Sequence, residues 1–246
     1  MSNNKTESPG KLKGSLSIFI ICFFVFSLGF FPIIIGGIYI LFFISFEQLW
    51  HFLLIPFIIY IGAVVTLFYQ IIFSGIVIHV FNIRYEPGVH DYTYNDKNAF
   101  RWLLVCSLYT PIRKLIEMFT VGGLKKTYLR MLGMKIGKNC LVGGVIKDPC
   151  LTEFGDNVTM GEYAIIYGHI QDMEKLTITM DRIKIGNNCV IGAGAIIMPG
   201  VVLEDNVKLA AGALVRKGQV LKKGRIYGGV PAKKIKKKSK YKKNNN

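Results

Sequence analysis

From Ile185 onward an aliphatic residue returns at every sixth position: Ile185, Ile191, Ile197, Leu203, Leu209 and Val215. A mostly small residue follows four places later, at Cys189, Ala195, Val201, Val207 and Ala213, until Gln219 breaks the rule. The same pattern runs earlier, in its own register, through Ile136, Val142, Phe154, Met160 and Ile166. A period of six cannot serve an amphipathic helix, whose apolar positions return near every 3.6 residues. It suits a short strand plus a corner, stacked coil on coil as a parallel β-helix. A β-sandwich would alternate with period two and vary its turns. The first position of each unit points into the coil, and the fifth is small because it fills a tight corner. Glycines such as Gly161, Gly192 and Gly212 fall where chain reversal needs unusual φ or close backbone approach. No coil buries its apolar face alone, so stability is a sum over neighbours.

Two stretches carry a specific likeness. IKIGNNCVIGAGAIIMPGVVLEDNVKLAAGALV (183–215) followed by GGVPAKKI (228–235) resembles the final coils and closing segment of the hexapeptide-repeat acyltransferases. The resemblance covers residues 130 to 235. It implies a left-handed winding, a homotrimer with sites between subunits, and acetyl-CoA or another acyl-CoA as co-substrate. The stretches DPCLTEFGDNVTMG (148–161) and HIQDMEKLTITMDRIKIG (169–186) are similar to membrane-linked hexapeptide domains that end some peptide synthetases. Val190 stands where sugar acetyltransferases of the family often carry an aromatic.

The rest of the chain is apolar and basic together. Of 246 residues 51% are hydrophobic, yet the formal net charge is +16. The apolar excess is concentrated: no charged residue occurs from Ser15 to Phe46 or from Leu49 to Ile83. Each run exceeds the ~20 residues that a membrane-spanning helix needs. The runs carry almost no polar face, which argues against a buried core pair. The first is too long for a cleaved signal peptide and a second follows at once. Two spans are expected, with kinks at Pro32 or Pro56 left open. Lys5, Lys11 and Lys13 precede the first span, the connector has no Lys or Arg, and Arg84, Lys97 and Arg101 follow the second. Both termini and the repeat domain are therefore expected in the cytoplasm, where acyl-CoA donors reside.

The resulting division is an N-terminal tail (1–14), two transmembrane helices (15–83), a basic amphipathic juxtamembrane region (84–132), the repeat domain (133–227) and a closing segment with a polybasic tail (228–246). The fold class is mainly β: a left-handed parallel β-helix preceded by transmembrane helices and an amphipathic helical linker. In the linker, Phe100, Leu103, Leu104, Leu108, Ile112, Leu115, Ile116 and Phe119 recur at helical spacing among basic residues. Such a segment either lies on an anionic leaflet or caps the repeat array, and Pro111 is expected to kink or divide it. The tail KKIKKKSKYKKNNN is low in complexity, suited to anionic lipid. With one aromatic and no accompanying binding module, it does not read as a nucleic-acid segment. The five cysteines show no C-x-x-C pairing, which fits a reducing compartment.

The ladder fails once. The unit beginning at Ile166 should continue at Asp172, but the pattern lapses until Ile185, so a loop over 171–182 is extruded. Such loops on rigid scaffolds commonly carry function. His169 stands at its edge and is the ladder's one histidine. Acyl transfer to a hydroxyl or amine needs a general base, and neutral imidazole suits it. In the family a histidine just before an extruded loop is that base, which implies His169. A carboxylate commonly orients such a base; the candidates are Asp172, Glu174 and Asp148. Asp148 stands where the period calls for an aliphatic residue, eighteen residues before Ile166. The family further implies a donor groove along Gly192, Ala193 and Gly194 and along Ala210, Ala211 and Gly212, whose small side chains admit pantetheine. Arg216, Lys217, Lys233 and Lys234 are candidates for its phosphates. His51 and His79 read as interfacial or helix-packing, and His90 as solvent-facing.

The function expected is a membrane-anchored acyltransferase, acetyl-CoA-dependent, acting on a hydroxyl or amine of a small molecule or of a glycan or lipid-linked acceptor. No metal is expected. The alternatives are a non-catalytic trimeric membrane scaffold and a carbonic-anhydrase-type enzyme. The latter needs three histidines on zinc, where the ladder has one.

Overall fold

The computed structural model describes residues 9–43, 48–119 and 122–235. The tail beyond Ile235, the connector residue Glu47 and the first eight residues lie outside that set, and with them Lys5 and the lipid contact expected of the tail. Contacts divide the chain into two units: Met1–Gly133 together with Gln171–Ile178, and Met134–Ile170 together with Thr179–Asn246.

The first unit is helical. It contains α1 (Pro9–Leu28), α2 (Phe31–Phe43), a 3-10 turn (Leu49–Leu54), α3 (Ile55–Val80), α4 (Lys97–Phe119) and α5 (Gly122–Met131). Two stretches, Gly14–Ile40 and Phe52–Val80, are long and apolar enough to cross a membrane. The first is not one continuous helix. It breaks at Gly29 and Phe30, and Pro32, which has no N–H to give the preceding turn, follows within α2. The break is held from across the bundle: the Gln70 side-chain amide of α3 donates to the Phe26 carbonyl at 2.6 Å. A Cβ on Gly29 would overlap that amide, so the glycine makes room for the clasp. Pro56 sits in the first turn of α3, where its missing N–H has no helical partner to lose.

The linker is two helices. α4 runs through Pro111 without dividing there. Its N-terminus is capped by Asp96, whose Oδ1 accepts from the N–H groups of Asn98 and Ala99 at 2.8 Å each. His90 does not face solvent as expected. It lies on the short strand Gly88–Asp91, where Nε2 donates to the Glu86 carbonyl at 3.0 Å and the Asn98 amide approaches Nδ1 at 3.4 Å. Tyr128 of α5 is buried with its hydroxyl 3.2 Å from Ser74 Oγ of α3.

The second unit is a parallel β-helix with three faces. Strands Lys135–Ile136, Thr152–Phe154, Ile183–Ile185, Val202–Leu203 and Val220–Leu221 form the first face. The second runs from Leu141–Val142 through Thr159–Met160, Val190–Ile191 and Lys208–Leu209 to Ile226–Gly228, closed by Lys233–Lys234. The third stacks Val145–Ile146, Ile165–Ile166, Ile196–Ile197 and Leu214–Val215. The aliphatic positions are buried as their period requires: Ile185, Ile191, Ile197, Leu203, Leu209 and Val215 all point inward. In register, Ile185 lies beside Leu203 and Leu203 beside Leu221, one coil of eighteen residues each time. The small positions Cys189, Ala195, Val201, Val207 and Ala213 are fully buried at the corners.

One corner is built from asparagine. Asn139, Asn157, Asn188 and Asn206 all take left-handed φ, between 53° and 58°. Asparagine tolerates that region better than most residues because its short side chain bonds locally. The stack is tied along its length: Asn139 Nδ2 donates to Asn157 Oδ1 at 3.3 Å and Asn157 Nδ2 to Asn188 Oδ1 at 3.0 Å.

The early coils depart from the plain period. Ile146, not Asp148, occupies the inward position beside Ile166, and the coil between them has twenty residues. Gly143 and Gly144 shorten the corner after Val142, and the 3-10 turn Pro149–Leu151 lengthens the next one. Asp148 is thereby shifted two residues past the inward position.

Candidate active site

The irregular coil brings Asp148 to His169. Asp148 follows the strand Val145–Ile146 and begins the corner that the 3-10 turn completes. Because Ile146 pairs with Ile166, the next residues along run side by side and Asp148 arrives at Gly168. Its Oδ2 accepts the Gly168 N–H at 2.7 Å and stands 2.7 Å from His169 Nδ1. The carboxylate is fully buried, and the imidazole is 15% exposed. A buried carboxylate is tolerated when its oxygens are hydrogen-bonded or paired. Here one oxygen serves a backbone donor and an imidazole together.

The surroundings hold both groups. Thr152 Oγ donates to the Asp148 carbonyl at 2.9 Å, and the Leu151 N–H approaches the same oxygen at 3.1 Å. Gly168 has no room for a side chain: a Cβ there would stand 2.7 Å from the Asp148 Cβ. Its carbonyl accepts from the Asp181 N–H at 2.8 Å, so the residue preceding His169 is held through both its N–H and its carbonyl. The Tyr167 ring meets the imidazole edge to face, with centroids 6.4 Å apart. Thr152, Gly168 and Tyr167 were not singled out in the sequence. They act through shape and backbone bonding, which no residue-type pattern announces.

Asp172 does not partner the histidine. It caps the hairpin turn instead, with Oδ1 accepting from the N–H groups of Glu174 and Lys175 at 3.1 and 3.0 Å. The Lys175 N–H foremost, with the Lys175 charge and the Glu174 N–H, holds the Asp172 carboxyl below its ordinary range against the opposing effect of desolvation. The extruded segment forms two strands, His169–Asp172 and Thr177–Met180. Across it, Ile166 lies beside Ile197, thirty-one residues on instead of eighteen. Its outer part, Gln171–Ile178, groups with the helical unit, where the Tyr92 N–H donates to the Leu176 carbonyl at 2.7 Å.

The residues expected along a donor groove form one corner between the second and third faces. Gly194 and Gly212 take left-handed φ of 67° and 66°. Their N–H groups stack onto the previous coil, Gly194 to the Glu162 carbonyl and Gly212 to the Ala193 carbonyl, at 2.9 Å each. Gly192 is small for packing, since a Cβ would stand 2.4 Å from the Ala211 nitrogen. Ala193 and Ala211 are exposed along the same corner; Lys217, in the turn between Leu214–Val215 and Val220–Leu221, and Lys233, on the closing strand of the second face, are exposed elsewhere. Ala210 is half-buried. The corner's geometry alone accounts for the glycines, whereas the exposure of Ala193 and Ala211 leaves backbone accessible.

Residues 182–217 match the bacterial transferase hexapeptide family of six repeats. Protein CapG of Staphylococcus aureus is 36% identical over 136 residues, covering 51% of this chain and 78% of that protein. Among solved structures, a maltose O-acetyltransferase from Clostridium difficile 630 is 24% identical with a TM-score of 0.41, over 50% of this chain and 82% of that one. A hexapeptide-repeat acetyltransferase from Vibrio cholerae, complexed with acetyl coenzyme A, is 21% identical with a TM-score of 0.39, over 42% of this chain and 59% of that one. This chain belongs to the bacterial hexapeptide-repeat transferases.

Proposed function

We propose that this chain is a membrane-anchored, acyl-CoA-dependent acyltransferase, with acetyl-CoA the leading donor and His169 the general base. The observation that carries this reading is the 2.7 Å pair of Asp148 Oδ2 and His169 Nδ1. A carboxylate on Nδ1 favours the tautomer with its proton there, which puts the basic lone pair on Nε2. Nε2 then takes the proton of a hydroxyl or amine as that atom attacks the thioester carbonyl. The tetrahedral intermediate expels the thiolate, and the imidazolium returns the proton to give free coenzyme A. Asp148 stabilises the imidazolium without itself taking a proton, the role a triad carboxylate plays.

The donor is assigned to the corner of Gly192, Ala193 and Gly194 and of Ala210, Ala211 and Gly212, with Lys217 and Lys233 meeting its phosphates as point charges. A homotrimer is part of the same reading. The outward positions of the third face are all aliphatic, with Val145, Ile165, Ile196 and Leu214 in one register column. An apolar column of this kind on an outer face suits a second copy of the chain. The helical unit supports membrane insertion: large apolar side chains such as Phe19, Phe23, Phe57, Ile59 and Tyr60 stand outward on the two long apolar stretches. With both termini cytoplasmic, the base faces the compartment that holds acyl-CoA, and an acceptor held at the bilayer, a glycan or a lipid-linked group, would explain the anchor.

The test is thiol release from acetyl-CoA by the full chain in detergent with hydroxyl and amine acceptors. His169→Ala is expected to lower the rate about 10²- to 10⁴-fold, the range that general-base catalysis supplies. Unchanged turnover would remove His169 from the reaction. A wild type that releases no thiol while remaining trimeric would favour the scaffold reading.

A further inference from the structure

The hairpin that begins with His169 is not left as two strands. His169–Asp172 and Thr177–Met180 are joined by Gly88–Asp91 into a sheet of three, with Thr177–Met180 in the middle. The added strand comes from the connection between α3 and α4. A two-stranded hairpin is marginal by itself in water, and a third strand is what lets such a unit persist.

Tyr92, the residue after that strand, holds both strands of the hairpin. Its N–H donates to the Leu176 carbonyl, just before the return strand, at 2.7 Å. Its hydroxyl is hydrogen-bonded to the side chain of Gln171, two residues past His169 on the outgoing strand. The ring is itself fixed: it meets Trp102 of α4 edge to face, with centroids 6.1 Å apart, and Trp102 is buried. Two residues on, Tyr94 lies so close to α1 that a Cβ on Gly14 would overlap it. The segment from Gly88 to Tyr94 is thus anchored on two helices while it grips the hairpin. At the root of the hairpin, Gly168 and Asp148 hold the histidine as described above. Only Ile170 separates His169 from Gln171, so a shift of the outgoing strand reaches the imidazole. A misplacement of about 1 Å costs a reacting group as much as roughly 10²-fold in rate.

From this we infer that Tyr92 is a positioning residue for His169: by tying Leu176 and Gln171 to Trp102 it fixes the strand that starts at the imidazole. The segment that follows α3 then serves the reaction and not the anchor alone. The inference rests on the acyltransferase reading for the role of His169. Tyr92 touches neither substrate nor imidazole in this scheme and acts through the hairpin.

The experiment compares variants of the full chain in detergent by thiol release from acetyl-CoA and by amide hydrogen exchange. Tyr92→Ala is expected to lower kcat about tenfold or more while KM for acetyl-CoA stays within about twofold of wild type. Exchange over residues 171–178 should quicken about tenfold or more, with the coils from Ile185 to Val215 unchanged. Tyr92→Phe keeps the ring on Trp102 and should restore most of kcat. Gln171 is exposed, so Gln171→Ala tests the contact with the helical core intact. It should match Tyr92→Phe, and the two together should be no worse than either, since both remove one bond. Added to His169→Ala, Tyr92→Ala should lower the residual rate no further, because no base is left to position. A full additional loss there, or wild-type kcat in Tyr92→Ala, overturns the inference. A wild type that releases no thiol removes the acyltransferase reading instead. Hydrogen exchange then judges the docking by itself, and unchanged exchange over 171–178 in Tyr92→Ala overturns it.

Discussion

Asp148 and His169 are twenty-one residues apart and meet at 2.7 Å because the coil between them has twenty residues instead of eighteen. Had the period been kept, the residue at 148 would have pointed into the core. The irregularity converts an inward position into one beside the imidazole. It also places the carboxylate on Gly168, so the same oxygen anchors the backbone that carries the histidine.

Asp148→Asn is expected to leave the fold and coenzyme A binding in place and to reduce thiol release from acetyl-CoA by about 10²-fold or more, because an amide on Nδ1 selects the wrong tautomer. Steady-state kinetics with a thiol reagent, alongside the melting temperature, checks this. A small effect would mean that the pair is structural.

Gly168→Ala should lower both activity and stability. The added methyl would stand 2.7 Å from the Asp148 Cβ, and overpacking of a closed site costs about 1–3 kcal/mol. Chemical denaturation together with turnover reports on both.

The asparagine stack gives a test of stability away from the site. Asn157→Ala loses the side-chain bonds to Asn139 and Asn188 and leaves an alanine at φ 57°, for an expected cost of about 1–3 kcal/mol. Asn157→Gly loses the same bonds without the φ penalty and should cost less. Denaturation midpoints of the two variants decide the order.

Asp172 predicts a pH dependence of the hairpin turn. Its carboxyl is held below the ordinary range, first by the Lys175 N–H. A group lowered by folding contributes stability that is complete above its unfolded pKa and lost as pH falls through the folded value. The turn should therefore be unchanged at neutral pH and loosen only below about pH 4. Amide exchange at Glu174 and Lys175 as a function of pH measures it, and loosening between pH 5 and 7 would contradict the capping geometry.

Gln70→Ala should destabilise the helical unit by about 1 kcal/mol, the typical size of a side-chain bond between membrane helices. It removes the side-chain donor to the Phe26 carbonyl at the break between α1 and α2, leaving only the Gly29 N–H on that oxygen. Thermal unfolding in detergent reads this out.

The sequence was most legible where one physical rule repeats. Inward positions from Ile185 to Val215 could be named because each coil meets the same environment as the last. His169 was legible as an exception to that rule. Its partner was legible only as one of three candidates: Asp148 stood out by breaking the period, whereas Asp172, nearer in sequence, accepts from the N–H groups two and three residues on in a local turn. The helix break was equally hidden. Pro32 hinted at it, but the Gln70 side chain that holds it is contributed by another helix.

By itself the sequence determined the periodic scaffold, the two apolar stretches and the location of the exceptional segment, since all three follow from local composition and spacing. Tertiary structure alone decided which carboxylate meets His169 and which glycines are required by neighbouring chain. Those depend on register between coils, where a shift of two residues moves Asp148 from the core to the imidazole, and no single stretch of sequence contains both sides of that contact.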